Sequence, residues 1–407
     1  MRVRIAKAIC QAIHLAFFEI ALLSICMAQT TSQADSMSQV IEIRIDPRSA
    51  MGGVADELFD SIRYVPLETN KQSQLSDITQ LEVTKDYYII LDRSLKTIFF
   101  FRHDGSYSHK IDKSEGNKPF TTIERFTVDP SRNILSFDDR VSPYTYTFGL
   151  DGIFVNSHKR KDSYRDFVLF KGFKLYYLPE IPAHESGKVP FAAISRYDTL
   201  SGELLGSYIP VDSVRWNRAL PGASPNFYRS GEEQLLFSQP YDYTIYTFDS
   251  VAVPHQRYRI VLPMANTLPD DFLRNPDFHG KWSDILQGNR NQIRILSDVY
   301  LSGNFLTFYP FPSIKGSAYL YNLQTNDLFN LTETVDVSLG LPVAERGNPV
   351  LATHNGVFIS GQSFLSLKQL YQNLPRDTRD EMFPEKLRLL MKKGTSNPIL
   401  KLLYLKK

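Results

Sequence analysis

Residues 87–105 read YYIILDRSLKTIFFFRHDG. Two apolar runs, 87–91 and 97–101, flank the polar turn 93–96, and Asp104-Gly105 follows the second run. Short runs rich in aromatic and β-branched residues are typical of strands, and Asp-Gly is a preferred hairpin turn. The stretch therefore predicts two antiparallel strands that lead through a tight turn into a third strand at 107–111.

The pattern recurs along the chain. With a further strand at 78–83, the opening stretch makes a four-stranded unit. Equivalent third strands follow at intervals of 47, 49, 51, 73 and 83 residues, and the two long intervals contain the extra segments 262–289 and 364–394. A constant period of this size is typical of a propeller in which each repeat forms one sheet. The aromatic residues that mark the six units are Phe101, Phe148, Tyr197, Phe248, Tyr321 and Tyr404.

These repeats predict an all-β fold, a six-bladed β-propeller of four-stranded antiparallel blades over residues 61–407, with helical inserts near 262–294 and 364–394. The last unit lacks a fourth strand, and a spare strand stands at 61–68. Pairing of 61–68 with 398–405 would close the ring and remove its open edges. Residues 29–60 are then a lead-in. A seventh blade within 262–294 is the alternative, but Pro and Asp-Asp there break the strand pattern.

The first 28 residues predict a signal peptide. Three basic residues precede a mostly apolar stretch that ends in ICMA at Ala28, although His14 and Glu19 interrupt it. This leader predicts secretion across the inner membrane, to the periplasm or the outer membrane. A lipid anchor on Cys26 is the alternative, and Ile25 is an unfavourable residue before a lipidated Cys. No later stretch is apolar and long enough to predict a transmembrane helix.

The composition excludes several classes of site. Both cysteines, Cys10 and Cys26, lie in the leader, so residues 29–407 contain no disulfide, thiol nucleophile or Cys metal ligand. Loss of the leader leaves 43 basic and 43 acidic residues. A balanced charge argues against nucleic acid as a partner.

Three further stretches carry a resemblance to a known family. They are YVPLET (64–69), LEVTKDYYIILDRS (81–94) with FFFRHDGSYSHKI (99–111), and NPILKLLYLKK (397–407). They resemble the NHL-like six-bladed β-propeller proteins of the Bacteroidota cell envelope. A Gly-rich stretch that is frequent in that family is replaced here by DKSEGNKPFTTIERF (112–126), with one Gly. The resemblance implies the fold and the compartment much more than an activity.

The long insertions predict a binding face. They fall either between the second and third strands of a unit or between units, and antiparallel strands place both sets of connections at one edge of each sheet. Loops that lengthen on one face often carry function. We expect a ligand-binding mouth there, built by Arg93, Arg140, His184, Trp216, Tyr241, Trp282 and Phe311. The alternative is that the two Trp side chains pack the insertions onto the ring.

Two classes of function remain open. The first is a non-enzymatic binding or scaffold module that holds a glycan, a peptide or a partner protein at this mouth. The second is an NHL-like metal-dependent lyase or lactonase with its site in the central channel, which needs convergent ligands from several blades. The innermost predicted strands offer Glu82, Asp129, Asp298 and His354 at irregular places, which favours the first class. We predict no catalytic residue, no metal ligand and no cofactor.

Two other polar groups have simple interpretations. Asp138-Asp139-Arg140 could bind a cation through its paired carboxylates, although a solvated turn is the simpler interpretation. His103 and His109 are expected to be exposed on the face opposite the mouth.

Overall fold

The computed structural model describes residues 39–113, 120–160, 164–177, 192–210, 226–269, 291–314 and 316–406, with residues 272, 276–278, 281, 284, 287 and 288 between them. Most regular structure in these residues is β-strand. Three strands precede the first repeat unit: β1 (Ile41–Arg44), β2 (Met51–Val54) and β3 (Phe59–Pro66).

Units one to three each form a separate antiparallel sheet of four consecutive strands. Unit one contains β4 (Gln80–Val83), β5 (Tyr87–Asp92), β6 (Thr97–Arg102) and β7 (Tyr107–Ile111). Unit two contains β8 (Phe126–Asp129), β9 (Ile134–Asp138), β10 (Tyr144–Gly149) and β11 (Phe154–Lys159). Unit three contains β12 (Asp166–Phe170), β13 (Phe173–Tyr177), β14 (Ala192–Asp198) and β15 (Leu204–Pro210).

Units four to six contain the remaining strands. Unit four has β16 (Phe227–Ser230), β17 (Gln234–Phe237), β18 (Thr244–Phe248) and β19 (Pro254–Val261). Unit five has β20 (Ile295–Ser302), β21 (Phe305–Phe311), β22 (Tyr319–Asn322), β23 (Leu328–Asp336) and the short β24 (Leu341–Pro342), which pairs with β23. Unit six has β25 (Val350–His354), β26 (Val357–Gln362) and β27 (Ile399–Leu405). All six marker aromatic residues lie on the third strands of their units.

The burial of the strands explains their sequences. β5 and β6 are buried along almost their whole length, so both read as continuous apolar runs, whereas the outer strand β7 (YSHKI) is polar and partly exposed. The turn between β6 and β7 requires glycine. Gly105 has φ +88°, and a Cβ atom there would lie 2.2 Å from the carbonyl oxygen of Pro66.

Hydrogen bonds divide the strands into five sheets rather than six. Units four and six share a nine-stranded sheet in the order β1-β19-β18-β17-β16-β25-β26-β27-β3. They are joined by one parallel pair, Ser230 with Thr353. Innermost strands approach each other where they surround a common centre, so a single backbone pairing merges two units that are otherwise separate.

Other innermost strands are joined by side chains. The Gln80 amide on β4 donates to the carbonyl oxygen of Phe126 on β8 at 2.8 Å and accepts from the Phe126 N–H at 3.1 Å. The Thr127 hydroxyl accepts from the N–H of Leu169 on β12 at 3.0 Å. Together with the hydrophobic clusters between neighbouring sheets, these bonds define an all-β propeller.

The N-terminal segment is part of the sheets. β1 pairs in parallel with the outer strand β19, and β2 pairs in parallel with the outer strand β23. Neither strand was predicted within 29–60. β3 pairs antiparallel with β27, from Phe59 opposite Leu405 to Pro66 opposite Ile399. The strand that leads into unit one and the last described strand of the chain are therefore close neighbours.

The insert within unit six contains three short helices rather than one. They are α1 (Phe364–Asn373), α2 (Arg376–Met382) and α3 (Glu385–Met391), and Pro375 and Pro384 are the N-caps of α2 and α3. Their apolar faces pack with Leu339 and Leu341 beside unit six. In the 262–294 segment, Met264–Asn266 and Pro276–Phe278 form 3-10 helices. No helix among the described residues is both long and apolar enough to cross a bilayer.

Candidate functional site

A buried aspartate lies at the end of the second strand in unit one and directly after the second strand in unit two. Asp92 accepts hydrogen bonds from the N–H groups of Ser76 at 2.6 Å and Leu95 at 2.9 Å. Asp139 accepts from the N–H groups of Thr121 at 2.7 Å and Val141 at 3.0 Å. Each carboxylate thus ties the segment that precedes its own unit to the turn that follows its second strand.

For Asp139, the interpretation of Asp138-Asp139-Arg140 as a solvated turn was wrong. Asp139 is fully buried, not part of a solvated turn, and its carboxylate is occupied by main-chain N–H groups and by the hydroxyls of Thr122 and Ser142. Burial raises the pKa of Asp139, but these hydrogen bonds outweigh burial and hold the pKa below its ordinary value. Asp138 instead accepts from the Thr145 hydroxyl and lies 3.3 Å from the Arg160 guanidinium.

Each of the two aspartates positions the arginine that follows it at the predicted mouth. Arg93 follows Asp92, Arg140 follows Asp139, and both reach the carboxylate of Glu124 in the link between units one and two. The nitrogen–oxygen distances are 3.7 Å from Arg93 and 3.5 Å from Arg140. Arg140 is 77 % exposed, so its ion pair is weak and its guanidinium remains available to a ligand. The structure therefore brings two of the predicted site residues together.

Tyr241 and Phe311 form a second group. The Tyr241 N–H donates to the carbonyl oxygen of Arg294 at 2.6 Å, and the Arg294 N–H donates to the carbonyl oxygen of Phe311 at 2.7 Å. Tyr241 has φ +63°, and its ring lies 5.9 Å from that of Phe272. Phe311 is 49 % exposed. Arg93 and Arg140 lie just after the second strands of units one and two. Tyr241 and Phe311 lie after or at the ends of the second strands of units four and five.

The other three predicted site residues, His184, Trp216 and Trp282, lie outside the described residues. The described residues also form a groove beside α1, which we call the insert groove. Its walls come from residues 75–78, 345–351, 361–372 and 394–398, and its volume is about 590 Å³. These segments are far apart in the chain, so sequence reasoning missed the groove.

The α1 wall of the insert groove is polar at its centre. Leu365, Lys368, Gln369 and Gln372 all line the groove, at the spacing of one helix face. Leu365 is 63 % exposed, and both glutamine residues are exposed as well. Amide groups beside an apolar side chain can hydrogen-bond a neutral polar ligand while covering its apolar surface.

A buried lysine supports the floor of the insert groove. Lys401 has no exposed surface, and its ammonium donates to the carbonyl oxygen of Pro342 at 2.7 Å and to Oε1 of Gln362 at 3.1 Å. Burial lowers the pKa of Lys401 to about 8, against the attraction of Glu345 and Asp336. The Gln362 amide donates to Glu345 at 2.6 Å, and Glu345 also accepts from the Ser363 N–H at 3.1 Å. This chain of bonds fixes the start of α1.

The central channel contains a smaller cavity. Glu82, Arg229 and Asp298 line it, and the Glu82 carboxylate lies 3.9 Å from Arg229. Asp298 has φ +52°, and burial raises its pKa to about 6, although a Ser297 hydrogen bond and Arg125 oppose the shift. The cavity volume is about 60 Å³. Such a space can hold a few water molecules but not a sugar ring.

The four polar residues of the innermost strands do not converge. Only Glu82 and Asp298 share the channel cavity. Asp129 caps a 3-10 helix by accepting from the Ser131 hydroxyl and the Arg132 N–H, and His354 lies in a different pocket. Within the part of the chain that the structure describes, no three His, Cys, Asp or Glu side chains are placed to share a metal ion.

The predicted exposure of the two histidines was wrong. His109 is partly buried and stacks on Phe100, with 4.1 Å between the ring centroids. His103 is also partly buried, and its ring stacks 6.4 Å from that of His354.

The chain matches one family model, and one solved structure of similar fold has a TM-score above 0.5. A family model described as "Domain of unknown function (DUF4934)" matches residues 42–403. A crystal structure of a protein from Bacteroides fragilis, provisionally described as exported, matches with a TM-score of 0.69 and 16 % identity, covering 90 % of this chain and 100 % of that one. A DUF4221 family member from Bacteroides vulgatus matches with a TM-score of 0.48 and 10 % identity over 86 % of this chain and 97 % of that one. No curated protein matches the chain.

Proposed function

We propose, from the premise that the chain belongs to the DUF4934 family, that this protein is a non-enzymatic binding or scaffold propeller of the cell envelope. The observation that carries the proposal is the insert groove, a cavity of about 590 Å³ beside the helical insertion of unit six. This volume lies in the range of roughly 300–1,000 Å³ that is typical of ligand pockets.

The propeller in this proposal has six blades and is NHL-like. Six groups of strands support the count, since units four and six are joined by one residue pair only. The blades span residues 61–407 after a lead-in at 29–60, and the β3–β27 pairing supports closure of the ring.

The location in this proposal is the periplasm or the outer membrane. The leader 1–28 supports export, with a basic start, an apolar stretch and small residues before Gln29. A relative of the same fold that is itself described as exported is consistent with this location. A lipid on Cys26 would hold the propeller at a membrane surface without a spanning helix.

The ligand in this proposal is a glycan or a peptide, presented alone or as part of an envelope protein. Gln369 and Gln372 each offer an amide that can both donate and accept, which suits sugar hydroxyls and peptide groups. Leu365 offers an exposed apolar contact beside them. The mouth residues Arg93, Arg140, His184, Trp216, Tyr241, Trp282 and Phe311 extend the proposed surface beyond the groove.

Arrays of envelope glycans and of peptides, probed with purified residues 29–407, test the proposal. We expect binding that is lost in the double variant Gln369→Ala, Gln372→Ala, because truncation removes two amides from the groove. Gln324→Ala is the matched control, since Gln324 lies in the turn between β22 and β23, away from the groove. Arrays on which nothing binds, or binding that the double variant retains, would overturn the proposal.

A further inference from the structure

A second pocket lies on the opposite face of the propeller. Lys85 and Glu232 line it from turns between first and second strands, and His354 lines it from the end of β25, the first strand of unit six. His103 lines it from a turn between third and fourth strands. In antiparallel units these turns are at the sheet edge away from the mouth. The pocket has a volume of about 610 Å³ and lies beside the β3–β27 pairing. We call it the closure pocket.

The two histidine rings of the closure pocket are held in place by the main chain. Nε2 of His103 lies 3.0 Å from the carbonyl oxygen of Thr84 and 2.9 Å from that of Lys85. Carbonyl oxygens only accept hydrogen bonds, so Nε2 carries the proton and Nδ1 of a neutral His103 remains an acceptor. The His354 ring stacks on His103, and its buried Nδ1 has no hydrogen-bond partner among the described residues. A buried ring nitrogen without a partner indicates that a ligand or water completes this site.

The charges of the closure pocket are unbalanced. Arg63 on β3 and Lys85 both line it, and within the described residues neither has a carboxylate at ion-pair distance. Glu232 is the one carboxylate in the lining. Without counting the histidines, the lining carries two cations and one carboxylate, an excess of one positive charge, which matches a monoanion.

Apart from Asn355, the rest of the lining is made of aliphatic and tyrosine side chains. Tyr88 on β5 and Tyr404 on β27 present rings, and Ile359 and Leu402 present aliphatic side chains. The pocket thus combines an apolar wall of ring size with two unpaired cations. An inorganic anion would interact only with the two cations, and a neutral hydrocarbon would contact only the apolar side chains.

We propose that the closure pocket binds an organic monoanion, a carboxylate attached to an apolar body. The carboxylate is held by Arg63 and Lys85, since a guanidinium and an ammonium are strong partners for it. The apolar body lies against Tyr88 and Tyr404. This site is independent of the insert groove, so either can fail without the other.

Titration calorimetry on residues 29–407 at pH 7.5 tests the inference with three probes. They are 4-phenylbutanoate, the uncharged 4-phenylbutan-1-ol, and acetate, which has the carboxylate without the apolar body. We expect 4-phenylbutanoate to bind roughly tenfold more tightly than either comparison probe, because charged hydrogen bonds and apolar burial each contribute about a factor of ten or more.

Two variants assign the binding to the pocket. Lys85→Gln changes a residue in an exposed turn, and Arg63→Gln changes a residue on the closing strand β3. Because a change in the exposed turn leaves the fold intact, Lys85→Gln still tests the inference if Arg63→Gln folds poorly. We expect each to weaken 4-phenylbutanoate roughly tenfold. Arg44→Gln is the control, because Arg44 is exposed on β1 and pairs with Glu42. Equal binding of the acid and the alcohol, no binding of the acid, or unchanged binding in Lys85→Gln would each overturn the inference.

Discussion

Single aspartates hold the main chain in place at the predicted mouth. Asp92 and Asp139 occupy equivalent places, and each accepts main-chain N–H groups from the segment that enters its unit. Buried N–H groups need partners, and a carboxylate can satisfy several of them at once. The arginine that follows each aspartate is thereby carried to the mouth. The Asp-Arg pairs in DR (92–93) and DDR (138–140) were visible in the sequence, but the burial of Asp92 and Asp139 was not.

Replacement of Asp139 by asparagine should destabilise the fold. We expect Asp139→Asn to cost about 1–3 kcal/mol of unfolding free energy at pH 7, since it removes the charge from a group of hydrogen bonds and turns an amide N–H₂ towards other donors. Urea denaturation followed by circular dichroism measures this loss.

The pH dependence of that loss follows from the lowered pKa of Asp139. A depressed folded-state pKa gives stability that is present above the unfolded value of about 3.9 and is lost as the pH falls through the folded value. The difference between the wild type and Asp139→Asn should therefore shrink below about pH 4. Asp86→Asn, at an exposed position, is the control. A difference that is the same at pH 3 and pH 7 would contradict the explanation.

At the scale of elements, added strands protect the outer edges of two sheets. β1 covers β19 and β2 covers β23, and an uncovered outer strand would offer its main-chain groups to other molecules. Ile43 on β1 is fully buried against Tyr258 and Ile260 of unit four. Ile41, on the same strand, is 38 % exposed. β1 is therefore attached by hydrogen bonds and by one buried face.

Two substitutions on β1 test this attachment. We expect Ile43→Ala to lower the unfolding free energy by about 2–4 kcal/mol, because it leaves a cavity in the core. Ile41→Ala should cost less than about 1 kcal/mol, since its side chain keeps contact with water. Urea denaturation of the two variants gives the comparison. Equal losses would mean that β1 is held by its main chain alone.

At the scale of the molecule, the β3–β27 pairing joins the strand before unit one to the last described strand. Leu400 on β27 is fully buried, lies opposite Val65, and packs with Ile90 and Phe99 of unit one. The same residue thus contributes to unit six, to the closing strand and to the interface with unit one. If the propeller unfolds as one cooperative structure, a destabilising substitution at Leu400 lowers the unfolding free energy of distant units by the same amount.

Leu400→Ala tests whether the ring is one cooperative structure. We expect a loss of about 2–5 kcal/mol of unfolding free energy, as for other buried Leu→Ala changes. Hydrogen exchange of the β13 amides in unit three should report the same loss, although β13 does not pair with β27. Leu200→Ala, at an 82 % exposed position, should change neither measurement. Unchanged protection of β13 in Leu400→Ala would show that the units unfold separately.

The sequence by itself determined the all-β propeller, the four-stranded repeat and the placement of the helical insert. These features depend on alternation, on turn residues such as Asp104-Gly105 and on a regular period, all of which are local along the chain. For the same reason the turns that carry Arg93 and Arg140 could be predicted, whereas a binding role for the two arginines stays a prediction. The two strands in 29–60 could not, because strands as short as MGGV (51–54) have no clear pattern and form only when an outer strand is present to pair with them.

The tertiary structure alone decided which side chains meet. Glu124 joins Arg93 to Arg140, residues 75–78 face α1 across the insert groove, and His103 stacks on His354. Each of these contacts joins residues from different units or links. The packing of the units against one another brings them together, and neither periodicity nor turn chemistry specifies distances between units. Burial likewise decided that Asp139 is part of the fold instead of a solvated turn, because only packing removes a carboxylate from water.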